Sequence, residues 1–297
     1  MLVSICIPTY NRLSDLHRSV QSALGQTHQP VEVLVADNAS TDGTAEWLHL
    51  QAGGDPRLRV LTSDVNLGPT ENFNRVRGAA RGAFVMWLGD DDWLDEGYVE
   101  VCVARLRDDP RAAHASGRVR YHPVDGVPWE VIPAAVLDPD PTARVLAYYR
   151  GVRDNGAFYG LSRASALDGV PAMGAVMGND WFHVADLAWR GPLMVDPSVA
   201  VHRAVGGATR SLAHVARVGG YPRWQGVVPQ VAIIVGAVRH LARPGSAGAD
   251  ASSVVRARLG VSVGGVLSRR LLPEAAGKWV RRVRASRRIH RPPGSRR

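Results

Sequence analysis

Along the first hundred positions, short apolar runs alternate with stripes of apolar residues at helical spacing. Positions 2–8, LVSICIP, are rich in β-branched residues and too short for a helix. Leu13, Leu16, Val20 and Leu24 follow at three- and four-residue intervals, with Gly25 as the stop. The exchange then repeats. A strand is predicted over 31–37, a helix opened by Thr41 or Asp42, a strand over 57–63, a helix from Pro69 to Gly82 and a strand over 83–89. Strands and helices in strict alternation predict an α/β fold: an open, mainly parallel sheet flanked by helices. Ligands of such sheets bind outside the carboxyl ends of the strands. Asp37 and the run Asp90, Asp91 and Asp92 both fall at such ends, so one crevice can collect them.

Past residue 111 the periodicity blurs. A strand is predicted over 113–124, a short helix over 142–150 and a helix over 180–191 closed by a glycine. PLMVDPSVAVHRAVGG reads as two short strands around a turn. Helices are expected beyond 216, separated by RPGSAGADASS, which has the composition of a flexible linker.

A hydrophobic share of 45% and a charged share of 21% over 297 residues are those of a globular chain with a substantial core. The net charge of +9 is carried almost wholly by arginine, Lys278 being the single lysine. From 254 onward the chain is densely basic. Trp279, Val280, Val283 and Ile289 stand among arginines there, a pattern suited to an anionic membrane or to a solvated end. Nucleic acid is disfavoured, because no aromatic-interleaved basic motif or zinc knuckle is present. Cys6 and Cys102 sit in apolar surroundings, and two cysteines give neither a disulfide framework nor a Cys-based zinc site. The apolar stretch 227–242 holds Pro229, Gln230 and Arg239 and is short of the about 20 residues a membrane span needs. MLVSICIPTYNR enters the fold at once, so the expected location is the cytoplasm, with the inner membrane face as its one membrane contact.

The chemistry concentrates in WLGDDDWLDEG. Three adjacent carboxylates repel one another, so they either sit in a solvated turn ahead of a helix or face a cation. Asp90 and Asp92, two apart, can share one ion with a diphosphate.

Taken in order, VSICIPTYNR, VLVADNASTDGT, NLGPTENFN and FVMWLGDDDWL, with GNDWFHVADLAWRG later, resemble a family 2 glycosyltransferase of the GT-A fold. The resemblance implies a Rossmann-like open mixed sheet and a nucleotide-diphosphate-sugar donor, with UDP favoured and dTDP or GDP as alternatives. It implies a divalent cation, Mn2+ or Mg2+, and inverting transfer to a hydroxyl of a glycan, a lipid-linked acceptor or a natural product. Residue by residue, Pro8, Thr9 and Tyr10 match the loop around the base, and Asp37 the acid on the pyrimidine or ribose. Asn66 and Asn72 bound the loop near the base and sugar, with Arg75 beside it. Asp90 and Asp92 match the DxD-type motif, Asp92 as the direct metal ligand and Asp91 toward the ribose or sugar. Asp180 matches the catalytic base, with Asn179 in place of the usual preceding acid; its other reading is a helix cap. His202 matches a histidine that approaches the metal in similar enzymes, its other reading being a packing residue. Gly206, Gly207, Thr209 and Arg210 match a mobile loop with Arg210 reaching the diphosphate. Trp181 and Phe182 read as core or as a sugar-stacking wall, and Trp189 as core.

Residues 1–215 are then expected to form the transferase domain, 1–110 binding the donor and 111–215 supplying acceptor contacts and the base. Residues 216–297 form a helical basic extension. A dinucleotide-binding protein is excluded, since IPTYNR replaces the glycine-rich fingerprint after the first strand. Two other functions stay open: a non-catalytic nucleotide-sugar protein of the same fold, and a membrane or nucleic-acid adaptor acting through the basic tail.

Overall fold

A computed structural model describes residues 1–206 and 212–289. The alternation begins as the pattern predicts: β1 (Val3–Thr9), α1 (Leu13–Leu24), β2 (Val31–Asp37), α2 (Thr44–Gly54), β3 (Leu58–Leu61), α3 (Pro69–Gly78) and β4 (Phe84–Trp87). Every residue of β1 and β2 is buried, as befits central parallel strands covered on both faces. Helix α1 buries Leu16, Ser19, Val20 and Ala23, one helical stripe. Next come β5 (Trp93–Leu94), α4 (Tyr98–Asp108), β6 (His114–Pro123), β7 (Trp129–Val131), α5 (Pro141–Gly151), a 3-10 turn (Gly156–Tyr159), β8 (Leu161–Arg163) and α6 (Ala164–Leu167). The chain continues through α7 (Asn179–Arg190), β9 (Leu193–Val205), α8 (Leu212–Val218), α9 (Arg223–Val227), α10 (Pro229–His240) and α11 (Ser253–Ile289).

The strands form one mixed sheet in the order β3-β2-β1-β4-β8-β6-β9-β5, with β7 paired to β6. β1, β2, β3 and β4 run parallel, while β8 enters antiparallel between β4 and β6. The register sets Thr9 beside Asp37 and Cys6 beside Trp87, so the carboxyl ends of β1, β2 and β4 line up at one edge of the sheet.

Two sequence expectations are corrected. The segment expected as two strands around a turn is the single strand β9, whose pairing with β6 jumps from Ser116↔Val195 to Arg118↔Ala200. The DPSV segment is absorbed as a bulge, because both flanks pair with the same strand. Gly117 sits opposite it; a β-carbon there would lie 2.8 Å from Tyr98 Cε2 and closer still to the Val199 carbonyl oxygen. The expected flexible linker is also pinned. Ala247 is buried, its N–H donates to Asp186 Oδ1 (2.5 Å), and Trp189 Nε1 donates to Asp250 Oδ1 (2.8 Å). Trp189, expected in the core, is partly buried and packs against it while its indole reaches this segment.

Cys6 and Cys102 are buried and unpaired, as their apolar contexts predicted. The C-terminal segment is not detached from the rest. Leu259, Val263, Leu267 and Leu271 of α11 are buried in the same core as β1, β2 and β4. No helix among the described residues is long and apolar enough to cross a membrane. The loop residues Gly207, Thr209 and Arg210, and the tail side chains Trp279, Val280, Val283 and Ile289, lie outside what is described.

Candidate active site

The loops at the carboxyl ends of β1, β2 and β4 are tied together by short polar side chains. Asn11, at φ 51°, turns the β1 loop; its side-chain Oδ1 accepts from Thr41 N–H (2.7 Å) and its backbone N–H donates to Ser40 Oγ (2.9 Å). Asp42 accepts from Leu13 N–H (3.1 Å) and from Thr44 Oγ1 (2.5 Å), starting α1 and α2 from one carboxylate. Asn38 donates to Asn66 Oδ1 (2.9 Å) and accepts from Leu67 N–H (2.9 Å), fixing the loop ahead of α3. Asn72 donates to the carbonyls of Ala36 (2.8 Å) and Thr9 (3.3 Å), bridging the ends of β1 and β2, while its buried Oδ1 has no partner. Asp37 Oδ1 accepts from both the N–H and the hydroxyl of Ser40. The result is a rigid shelf bearing Pro8, Thr9, Asp37, Asn66 and Asn72, with Tyr10 exposed at its edge. Arg75 Nη2 braces the shelf from beneath through the carbonyls of Asp37 (2.9 Å) and Leu61 (2.8 Å).

The three aspartates leave β4 in different directions. Asp91 forms an ion pair with Arg12, and Asp90 Oδ1 lies 3.7 Å from Arg12 Nε. Burial, together with the neighbouring Asp91 charge, pushes the Asp90 carboxyl up to about 7; Arg12 offsets only part of this. Asp92 is wholly buried. Its Oδ2 accepts from Arg203 Nε (3.0 Å) and its Oδ1 from Ala204 N–H (3.2 Å). Burial raises its pKa, and Arg203 opposes the rise.

Arg203 connects this turn to the segment ahead of the 3-10 turn. Besides Asp92, its guanidinium donates to Asn155 Oδ1 (2.6 Å) and Tyr159 Oη (3.2 Å). Asn155 in turn neighbours the carboxylate of Asp180, in the first turn of α7, and favours its charged form. Asp180 Oδ1 also accepts from Trp181 N–H (2.9 Å), but the residue flanking the helix is Gly178, at φ 87°, so Asp180 is not its N-cap. Burial raises the Asp180 pKa, and the Trp181 N–H and Asn155 oppose the rise. Asp180 lines a cavity of about 460 Å3 together with Phe73, Phe158, Tyr159, Trp181 and Tyr221. The structure thus strings Asp92, Arg203, Asn155 and Asp180 together across 88 positions of sequence between the two carboxylates.

His202 stands apart from this chain of contacts. Its Nε2 meets Asp95 Oδ1 (2.8 Å), its Nδ1 meets His122 Nε2 (2.9 Å), and its ring stacks on Trp93. Successive residues of a strand point to opposite faces, and Arg203 takes the face toward Asp92. Phe182 is buried in the core, while Trp181 lines the cavity. Arg12, Asn38, Asn155 and Arg203 were not singled out from the sequence. Arg12 ends the quoted PTYNR stretch and Arg203 follows His202, so adjacency was the only available signal.

Among the described residues, no three His, Cys, Asp or Glu side chains converge to hold a metal ion. Asp90 and Asp91 nevertheless fit a hard divalent cation: both are carboxylates, and the elevated Asp90 pKa marks a place where added positive charge is favoured. Ions such as Mg2+ use one or two carboxylates and complete their shell with substrate phosphates and water. Asp92, expected as the direct ligand, has both oxygens engaged by Arg203 and Ala204.

Residues 4–168 match the family described as Glycosyl transferase family 2. Chondroitin synthase of Pasteurella multocida is 37% identical over 112 residues, 38% of this chain and 12% of that protein. Uncharacterized protein Rv1520 of Mycobacterium tuberculosis is 30% identical over 210 residues, 68% of this chain and 58% of that one. This chain therefore spans under two thirds of each of these relatives. S. aureus TarS 1–349, solved in complex with UDP-GlcNAc, superimposes with a TM-score of 0.62 at 16% identity, covering 91% of this chain and 73% of TarS 1–349. Mannosyltransferase PcManGT from Pyrobaculum calidifontis, in complex with GDP-Man and Mn2+, gives a TM-score of 0.53 at 18% identity, over 92% of this chain and 82% of the other. The ordered strand-end motifs, the mixed sheet and these matches agree: the chain belongs to glycosyl transferase family 2 and has the GT-A fold.

Proposed function

We propose that this chain is a metal-dependent inverting glycosyltransferase that moves a sugar from a nucleotide-diphosphate donor, UDP favoured, to an acceptor hydroxyl. The observation that carries the reading is Asp180: a part-buried carboxylate of raised pKa that lines a cavity and neighbours Asn155, which Arg203 ties to the aspartate turn. Residues 1–110 supply the shelf for base and ribose, with Asn66 exposed on it and Asp37 and Asn72 buried within it. Residues 111–215 supply Asp180 and the acceptor wall, and 216–297 form the helical, basic C-terminal part. The nucleotide-sugar complexes of TarS and PcManGT, the latter with Mn2+, support the donor class.

Asp180 takes the proton of the acceptor hydroxyl as that oxygen attacks the anomeric carbon from the face opposite the leaving diphosphate. A carboxylate whose pKa is raised by burial is a stronger base for this than an exposed one. Asn155 favours the charged form of the Asp180 carboxylate, and Arg203 holds Asn155. Asp90 and Asp91 would hold the divalent cation, which when bound neutralises charge on the diphosphate. Arg12, already against both carboxylates, limits their repulsion in its absence.

The test is a thermal-shift panel of UDP, GDP, dTDP and CDP, each with Mn2+, Mg2+ or EDTA. A diphosphate at 100 times its Kd adds about 2.7 kcal/mol of apparent stability. Asp180→Asn is expected to keep that metal-dependent stabilisation and to lose transfer by about 10²–10⁴-fold. Wild-type transfer rates in Asp180→Asn would refute the base assignment. A panel without any metal-dependent stabilisation would refute the donor site.

A further inference from the structure

The cavity beside Asp180 has a mostly apolar lining with a few polar groups. Met173, Met177, Val215, Val218 and Ile233 line it together with Trp181 and Tyr221, and Asp154, Asn155, Asn179 and Asp180 are among its polar members. Its volume of about 460 Å3 lies in the ~300–1,000 Å3 range of pockets that hold small organic ligands.

Several polar groups of the lining already hydrogen-bond within the protein. Asp154 accepts from Tyr121 Oη (2.8 Å) and from Gly156 N–H (2.9 Å). Asn155 Oδ1 accepts from Arg203, and the hydroxyl of Tyr159 accepts from the same guanidinium. Asn179 Nδ2 donates to the Gly174 carbonyl (3.0 Å). A saccharide brings several hydroxyls, each of which needs a partner when desolvated, at a cost of about 1–3 kcal/mol when it finds none. Much of the hydrogen-bonding capacity of the polar lining is thus engaged within the protein, while the Asp180 carboxylate can still accept from a hydroxyl.

We propose that the acceptor is an alcohol or phenol on an apolar body, its hydroxyl at Asp180 and its body against Met177, Val215, Val218 and Ile233, rather than a glycan. This rests on the transferase reading above and specifies its acceptor. Aromatic side chains alone would also suit sugar stacking, but the methionines and branched aliphatics beside them offer a sugar edge nothing to bond. A small aromatic product and a membrane alcohol share this chemistry.

The experiment uses the full chain with the donor that stabilises it most. Binding of 4-methylumbelliferone is followed by its fluorescence, and transfer is compared for 4-methylumbelliferone, farnesol and the methyl glycosides of glucose, galactose and N-acetylglucosamine. The expected result is binding and transfer with one or both apolar acceptors, at least tenfold above any methyl glycoside. The aromatic arm identifies a small-molecule acceptor and the farnesol arm a lipid. Val218→Asp, at a rim position 49% exposed and so compatible with folding, is expected to weaken probe binding at least tenfold while diphosphate-dependent stabilisation stays unchanged. Met177→Gln repeats the test inside the cavity. Methyl glycosides used as well as the apolar acceptors, or probe binding indifferent to both variants, would overturn the proposal with the donor site intact. Probe binding without any diphosphate stabilisation would instead overturn the transferase reading, and with it the acceptor role of the cavity.

Discussion

Asp90 gives the most quantitative handle on the aspartate turn. Its carboxyl is lifted from an ordinary 3.8 to about 7, first by burial and then by the charge of Asp91. The folded chain therefore holds the Asp90 proton more tightly than the unfolded chain does. Stability from this group is complete below about pH 4, declines as pH rises and is lost above about pH 7. The gap between 3.8 and about 7, at about 1.36 kcal/mol for each tenfold step in proton affinity, corresponds to about 4 kcal/mol. Asp90→Asn keeps the shape yet never ionises. Its melting temperature should match the wild type near pH 4 and exceed it by up to roughly 10 °C at pH 8. Melting curves at pH 4.5, 6 and 8, in EDTA, measure this directly. Added Mn2+ with UDP should close the gap at pH 8 by stabilising the ionised wild type and not the variant. A difference between the two proteins that stays flat from pH 4.5 to 8 would refute the argument, because it would mean that Asp90 titrates alike in both states.

Arg203→Met leaves Asp92 buried without its cation and should cost about 3–5 kcal/mol, read as a lowered urea midpoint; Arg203→Lys restores the charge but not the forked contact to Asp92, Asn155 and Tyr159 and should recover only part of it. Gly117→Ala drives a methyl into Tyr98 and the Val199 carbonyl and should cost about 1–3 kcal/mol by the same measurement. Removal of 278–297, beyond the buried leucines of α11, should leave folding intact and abolish sedimentation with phosphatidylglycerol vesicles at low salt; unchanged sedimentation would dismiss membrane contact through the tail.

The alternation up to β4 is legible because it is written in local period. Val3, Ile5 and Ile7 share one face of a strand, and Leu16, Val20 and Ala23 share one face of a helix, whatever the rest of the chain does. From that order follow a parallel sheet and a crevice at its carboxyl edge, and so the grouping of Thr9, Asp37 and Asp90. Asp180 was legible through its place in GNDWFH, a matter of resemblance. What Asp180 touches was not. Asn155 reaches it only because the 3-10 turn packs near α7, and Arg203 reaches Asp92 only because β9 continues through the DPSV bulge beside β6. Nothing in a strand's period says which strand it will pair with, or that β8 will slip antiparallel between β4 and β6. The linker at 243–253 fails for a related reason. Glycine, serine and alanine predict flexibility in isolation, but Asp186 and Trp189, more than fifty residues earlier, supply partners for its backbone N–H and for Asp250. The sequence by itself determined the elements, their order and the acidic edge, since those depend on neighbours a few residues apart. Only the tertiary structure decided which charge meets which carboxylate and that the wall beside Asp180 is apolar, since those depend on side chains that burial forces together from distant parts of the chain.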